Sequence, residues 1–223
     1  MTLLTLSVAP IFIGLFYTYI RDKYEKEPYN LLITGVFFGV IIAFIIAFVS
    51  NIMMLFLPSG APLFFEAIFI AFAVSALVEE FFKYVVLFFL TWRNKNFNEK
   101  FDGIVYAVFV GLGFALIENI LFVFSDDLGG TSTALVRAIF SVPGHALFGV
   151  HMGYYFGLAK FRDRRYLFLA FFVPYIYHAI YNYILLANIP YTFVALAIFS
   201  IFLWVSGLKK MATFIKESPF KRL

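Results

Sequence analysis

Glu79, Glu80 and Lys83 lie within five residues of one another inside an otherwise apolar stretch, SALVEEFFKYVVLFFLTW (75–92). Polar groups recur in three further apolar stretches: Glu118 and Asn119 in FALIENILF, His145 and His151 in GHALFGVHMGYYFG, and His178 with Asn182 in HAIYN. A charge at the centre of a membrane span costs about 2.5–3.5 kcal/mol on insertion scales, so such residues mark pairing or function. Carboxylates and imidazoles in one wet pocket suit two routes to amide hydrolysis. They can hold a divalent metal, zinc foremost, with an open position for water, and the metal then lowers the pKa of that water. Without a metal, a glutamate can take the proton from water while histidine and asparagine donate to an oxyanion. A proton- or cation-coupled transporter uses the same residue types. Other hydrolytic apparatus is missing: there is no HExxH, no GxSxG, no cysteine, and no paired aspartate in an apolar stretch.

The elements that must position these groups follow from composition. Of 223 residues, 63% are hydrophobic and 13% charged, against about half and a quarter in soluble domains. Apolar segments cover 3–20, 29–57, 67–92, 103–124, 133–159, 166–187 and 191–208, and a span needs about 20 residues. The fold expected is all-α: a single polytopic transmembrane bundle of about seven spans over 1–223, with its motif core at 75–185. The first segment has neither a basic leader nor a small-residue cleavage site and is read as a retained span. The net charge of +4 reflects membrane topology, not nucleic acid. Of 17 lysines and arginines, 15 fall in 21–27, 93–102, 160–165 and the tail from Lys209, and the intervening loops hold none. That alternation puts the N-terminus outside and the C-terminus in the cytosol. Of the other two, Arg137 is expected to snorkel to the outer interface, whereas Lys83 is too deep to do so.

At about 1.5 Å per residue, Glu79, Glu118, His145 and His178 each lie about 18–22 Å from the cytosolic end of their span. Four helices of alternating direction thus bring their polar groups to one layer. Glu79 and Lys83 share a helix face. Gly149, Gly153 and Gly157 continue the face of His145 as a small-residue seam, and Ala107, Gly111 and Ala115 form another. Pro143 is expected to disturb the helix just before His145. His151, six residues on and facing elsewhere, is assigned to packing.

Four motifs together, EEFFK (79–83), FDGIVYAVFVGLGFALIEN (101–119), GHA (144–146) and HAIYN (178–182), resemble the PrsW family of intramembrane proteases, which is related to the type II CAAX prenyl endopeptidases. The resemblance implies a multi-pass peptidase of the bacterial cell membrane acting on a single-pass membrane protein, such as an anti-sigma factor, with a lipid bilayer and no nucleic acid as its other partner. The CAAX relatives carry the basic residue one position later and a histidine in place of Glu118, so ligand roles and prenylated substrates are not carried over from them.

The residues then take these roles. Glu79 is the general base on water, alone or at a metal, and Lys83 holds it ionised. Glu80 orients a partner or ligand. Glu118, His145 and His178 are ligands of metal or water, with Asn119 supporting. Asn182 stabilises the oxyanion. A transporter or a noncatalytic scaffold of the same fold is the alternative. The charge alternation predicts that tags at Lys95 and Arg164 are cytosolic and a tag at Gly129 external. Labelling of Lys95 from outside intact cells would contradict this topology.

Overall fold

In lipid every backbone amide must be satisfied within its own segment, so long apolar stretches become helices. The computed structural model describes residues 2–221, which leaves Arg222 of the basic tail outside the described residues. The helices are α1 (Leu3–Arg21), α2 (Tyr29–Met54), α3 (Leu63–Ile68), α4 (Leu77–Thr91), α5 (Lys100–Val123), α6 (Thr131–Val136), α7 (Val142–Phe161), α8 (Tyr166–Leu186) and α9 (Thr192–Lys216), with no strand among the described residues. α1, α2, α5, the continuous run of α6 and α7, α8 and α9 are each long and apolar enough to cross a membrane. The remaining expected span is the run Leu63–Thr91, whose α-helical parts are divided by a π-helical stretch at Phe69–Ala76. α9 continues two turns beyond the expected end at residue 208, carrying Lys209, Lys210 and Lys216 on the helix.

A second π-helical stretch, Arg137–Ser141, joins α6 to α7. It is the disturbance expected from Pro143, whose ring crowds the carbonyl four residues earlier and which offers no N–H. Both π stretches end within one turn of a polar residue of the predicted layer, Glu79 in one case and His145 in the other. π-helical insertions of this kind re-aim a helix face and recur at functional sites.

α5 is the central post, buried along most of its length, with α1, α2 and α7 packed on it. Two glycine seams let the backbones touch. On the α5–α7 side, a Cβ at Gly103 would stand 2.7 Å from the Gly153 carbonyl oxygen, and one at Gly149 3.0 Å from Val108 Cα. A methyl at Gly153 would overlap the Gly103 carbonyl oxygen and Ile104 Cα. The seam predicted on α7 is therefore a backbone contact. The second seam, Gly39 of α2 against Gly113 of α5, is equally close and was not expected.

At the predicted cytosolic end, the loop after α1 docks onto the start of α5 through buried carboxyls, Asp22, Glu27, Glu99 and Asp102. The Asp102 carboxylate accepts from the backbone N–H groups of Asn98 at 2.9 Å and Glu99 at 2.8 Å, capping α5, and Tyr106 donates its hydroxyl to Glu27. Burial pushes the carboxyls of Asp22 and Glu27 up to about 7.

The seam sets a steric prediction. Gly153→Ala forces the α5 and α7 backbones apart, an overpacking cost of about 1–3 kcal/mol. Gly111→Ala, whose new Cβ would meet the His145 carbonyl oxygen at an ordinary 3.5 Å, is tolerated. Thermal unfolding in detergent should show a clear drop for the first variant only. Equal midpoints would mean that the seam is not tight.

Candidate active site

The i, i+3 and i, i+4 spacings of EEFFK place Glu79, Glu80 and Lys83 on one face of α4. All three are buried, at 5%, 1% and 4% exposure. Lys83 Nζ donates to Glu79 Oε2 at 3.1 Å and to Glu80 Oε1 at 2.9 Å. It also donates to His145 Nδ1 at 3.3 Å, across to α7.

His145 is fixed from its other nitrogen. Its Nε2–H donates to Glu118 Oε2 at 2.9 Å, and a carboxylate there selects the tautomer whose lone pair is on Nδ1. Arg137 Nη2 donates to the same Glu118 oxygen at 2.6 Å, and its Nε donates to Asn119 Oδ1 at 2.8 Å. Asn119 in turn donates to the Ser7 carbonyl of α1 at 2.7 Å. Arg137 therefore does not snorkel: its side chain is 12% exposed and turned inward. A buried carboxylate without a cation costs more than extending an arginine to the interface saves. Glu118, whose own helix carries a cation only at its far end, Lys100, finds a partner here.

On α8, His178 Nδ1–H donates to Glu80 Oε1 at 2.9 Å, leaving Nε2 3.9 Å from Glu79 Oε2. Phe148 stacks on this ring at 4.7 Å, and the two imidazole centroids are 5.3 Å apart. One turn on, Asn182 Nδ2 donates to Ser75 Oγ at 2.7 Å, and Ser75 donates to Glu79 Oε1 at 2.9 Å.

The layer predicted from helical rise is thus one cluster, with Glu79, Glu118, His145, His178, Ser75 and Asn182 all opening on one cavity of ≈ 430 Å³ between α2, α4, α5, α7 and α8. His151 stands apart: its Nδ1–H donates to the Leu147 carbonyl at 2.8 Å, and Nε2 meets Ser206 Oγ of α9 at 3.0 Å.

Three residues of the cavity are not among those expected from the sequence. Ser75 lies four residues before Glu79, the same spacing that pairs Glu79 with Lys83. Arg137 lies two turns before His145. Tyr181, beside Asn182, lines the cavity, with its hydroxyl oxygen buried.

Glu79, Glu80, His145 and His178 each bring a donor atom to within 4.8 Å of all the others. Glu80 Oε2 is buried without a partner. Two carboxylates and two imidazoles fit a divalent ion such as zinc. Glu118, expected in the ligand set, lies outside this group and holds the far nitrogen of His145.

A sequence-family model described as PrsW family intramembrane metalloprotease matches residues 27–206. Similar curated proteins include Protease PrsW of Clostridioides difficile, 34% identical over 97% of this chain and 92% of that protein. Protease PrsW of Geobacillus kaustophilus is 37% identical over 94% and 91%, and that of Bacillus subtilis 35% over 93% and 93%. No solved structure matches.

Proposed function

The chain belongs to the PrsW family of intramembrane metalloproteases, and from that membership we propose that it hydrolyses a peptide bond of a single-pass membrane protein, with Glu79 as the base that activates water. It is a multi-pass bacterial membrane peptidase, which sets aside the transporter and the noncatalytic scaffold. The observation that carries the mechanism is the convergence on one cavity of a carboxylate held from both oxygens and two imidazoles each backed by a carboxylate.

Glu79 takes the proton from a water in the cavity. Ser75 donates to one of its oxygens and, with no ion bound, Lys83 to the other, which fixes the carboxylate plane. The hydroxide attacks the scissile carbonyl carbon, and the Glu79 proton passes to the leaving nitrogen as the C–N bond breaks. Asn182 Nδ2, one turn from His178, is the amide donor for the oxyanion. Glu80, His145 and His178 with Glu79 form the set that would hold a divalent ion, zinc by donor type. Such an ion would lower the pKa of water and polarise the carbonyl. Glu118 keeps the His145 tautomer that presents Nδ1 to this set.

The cavity extends past Ser50, Val74, Leu185 and Leu186 toward the predicted outer end of α2 and α8. That direction and its apolar lining suit an extended segment of a membrane-anchored chain. An anti-sigma factor is the substrate class that the family resemblance implies.

Glu79→Gln keeps shape and hydrogen bonding but takes no proton from water, so it is expected to insert, bind substrate and fail to cut. His151→Ala keeps most activity. Asn182→Ala falls between, since one oxyanion donor is worth about 100- to 1,000-fold. The assay is cleavage of a single-pass substrate in detergent at equal enzyme level. Equal activity of Glu79→Gln and His151→Ala would overturn the role given to Glu79.

A further inference from the structure

Lys83 stands where an ion would stand. Its Nζ lies 2.9 Å from Glu80 Oε1, 3.1 Å from Glu79 Oε2 and 3.3 Å from His145 Nδ1. These are three of the four residues whose donors gather within 4.8 Å of one another. We propose that the Lys83 ammonium is the resident occupant of the divalent-cation seat, so that ion and lysine exchange for one another and Lys83 sets how tightly the site loads. The inference rests on reading these four residues as the ligand set.

Size supports it. Donors about 2.1 Å from a tetrahedral zinc are about 3.4 Å from each other. Donors around an ammonium at hydrogen-bond distance, about 3 Å, are about 4.9 Å apart. The donors here spread to as much as 4.8 Å, and those around Nζ stand at 2.9–3.3 Å from it, the dimensions of the larger cage. Loading an ion therefore requires the donors to close in by about 1 Å each and the ammonium to leave, since two cations cannot share the same carboxylate oxygens at these distances.

Charge supports it as well. Adjacent buried carboxylates cannot both stay ionised without a cation, and Lys83, three and four residues along the same helix, is always within reach. Its flexible stem and compact head suit a group that must withdraw, where a planar guanidinium would not. The face of Phe114, 4.1 Å from Nζ, adds a cation–π contact to the ammonium in its resident position. Lys83 is thus a positioning residue. It keeps the two carboxylates and His145 assembled before an ion arrives and competes with the ion afterwards.

The test uses the full chain in detergent, stripped of metal, with zinc and cobalt as the probes. Zinc affinity is measured by calorimetry, and cobalt coordination by visible absorption, for the wild type, Lys83→Met and Lys83→Gln. Lys83→Gln retains a hydrogen-bond donor and guards against loss of folding in Lys83→Met. Removing the competitor should tighten zinc binding at least about tenfold, the scale of single outer-contact changes at metal sites. The zinc-induced rise in unfolding temperature should be larger in the variants than in the wild type, because stabilisation grows with [L]/Kd. Tetrahedral cobalt bands should appear at lower cobalt concentration. Zinc affinity unchanged or weakened in both variants overturns the exchange. So does failure of all three proteins to bind either ion. In both cases cleavage of a single-pass substrate by the same wild-type preparation judges the peptidase reading separately.

Discussion

The constraint on which the structure depends is that a charge buried among apolar helices must find its counter-charge on another helix. α4 buries two carboxylates and an ammonium on one face, and their mutual pairing is incomplete. The ammonium reaches to α7, Glu80 reaches to His178 of α8, and Ser75 links Glu79 to Asn182 of α8. Glu118 of α5 is held by Arg137 and holds His145. Removing either cation, Lys83 or Arg137, leaves a carboxylate inside the bundle without its counter-charge, which is far more costly than the pair itself is stabilising. The site and the helix arrangement are therefore one problem. The helices are locked in the rotations that pair the charges, and those rotations present the paired groups to one cavity.

Close backbone contact makes this possible. A glutamate is short, and Glu118 meets the His145 ring directly only because α5 and α7 touch along Gly103, Gly149, Gly153 and Gly157. The two π-helical stretches then adjust facing. Each adds a residue to a turn and rotates the helix beyond it, so that Glu79 and His145 point inward while Ser75 and Arg137 remain on the same cavity. In lipid there is little hydrophobic gain from helix association. Packing at small residues and polar pairing together hold the bundle, and both act along α5 and α7.

Much of this is legible in the sequence because it depends on period and position along a helix. The apolar segments, the common depth of Glu79, Glu118, His145 and His178, the seam on α7 and the separate face of His151 all derive from helical rise and rotation per residue. The part that is not legible depends on rotation about helix axes. Arg137 sits near the end of its apolar stretch, where snorkelling is the local expectation, and only the placement of Glu118 turns it inward. That Glu118 stands behind His145, while Glu80 bonds Lys83 and His178, is fixed by which helix neighbours which. The π turns carry no strong residue signature: one has a nearby proline and the other none. The buried carboxyls Asp22, Glu27 and Asp102 read as loop charges until the loop is seen docked on α5.

The central claim is that charge pairing across helices positions the reactive groups, and its clearest link is the chain Arg137–Glu118–His145. A double-mutant cycle of Arg137→Met and Glu118→Gln, read as cleavage of a single-pass substrate at equal enzyme level, tests it directly. If Arg137 acts only by holding Glu118 against His145, losing Arg137 lowers cleavage in the wild type and has little further effect once Glu118 is glutamine, with a coupling of about 0.5–3 kcal/mol, as for residues in one network. Losses that multiply, as for independent sites, would contradict the account.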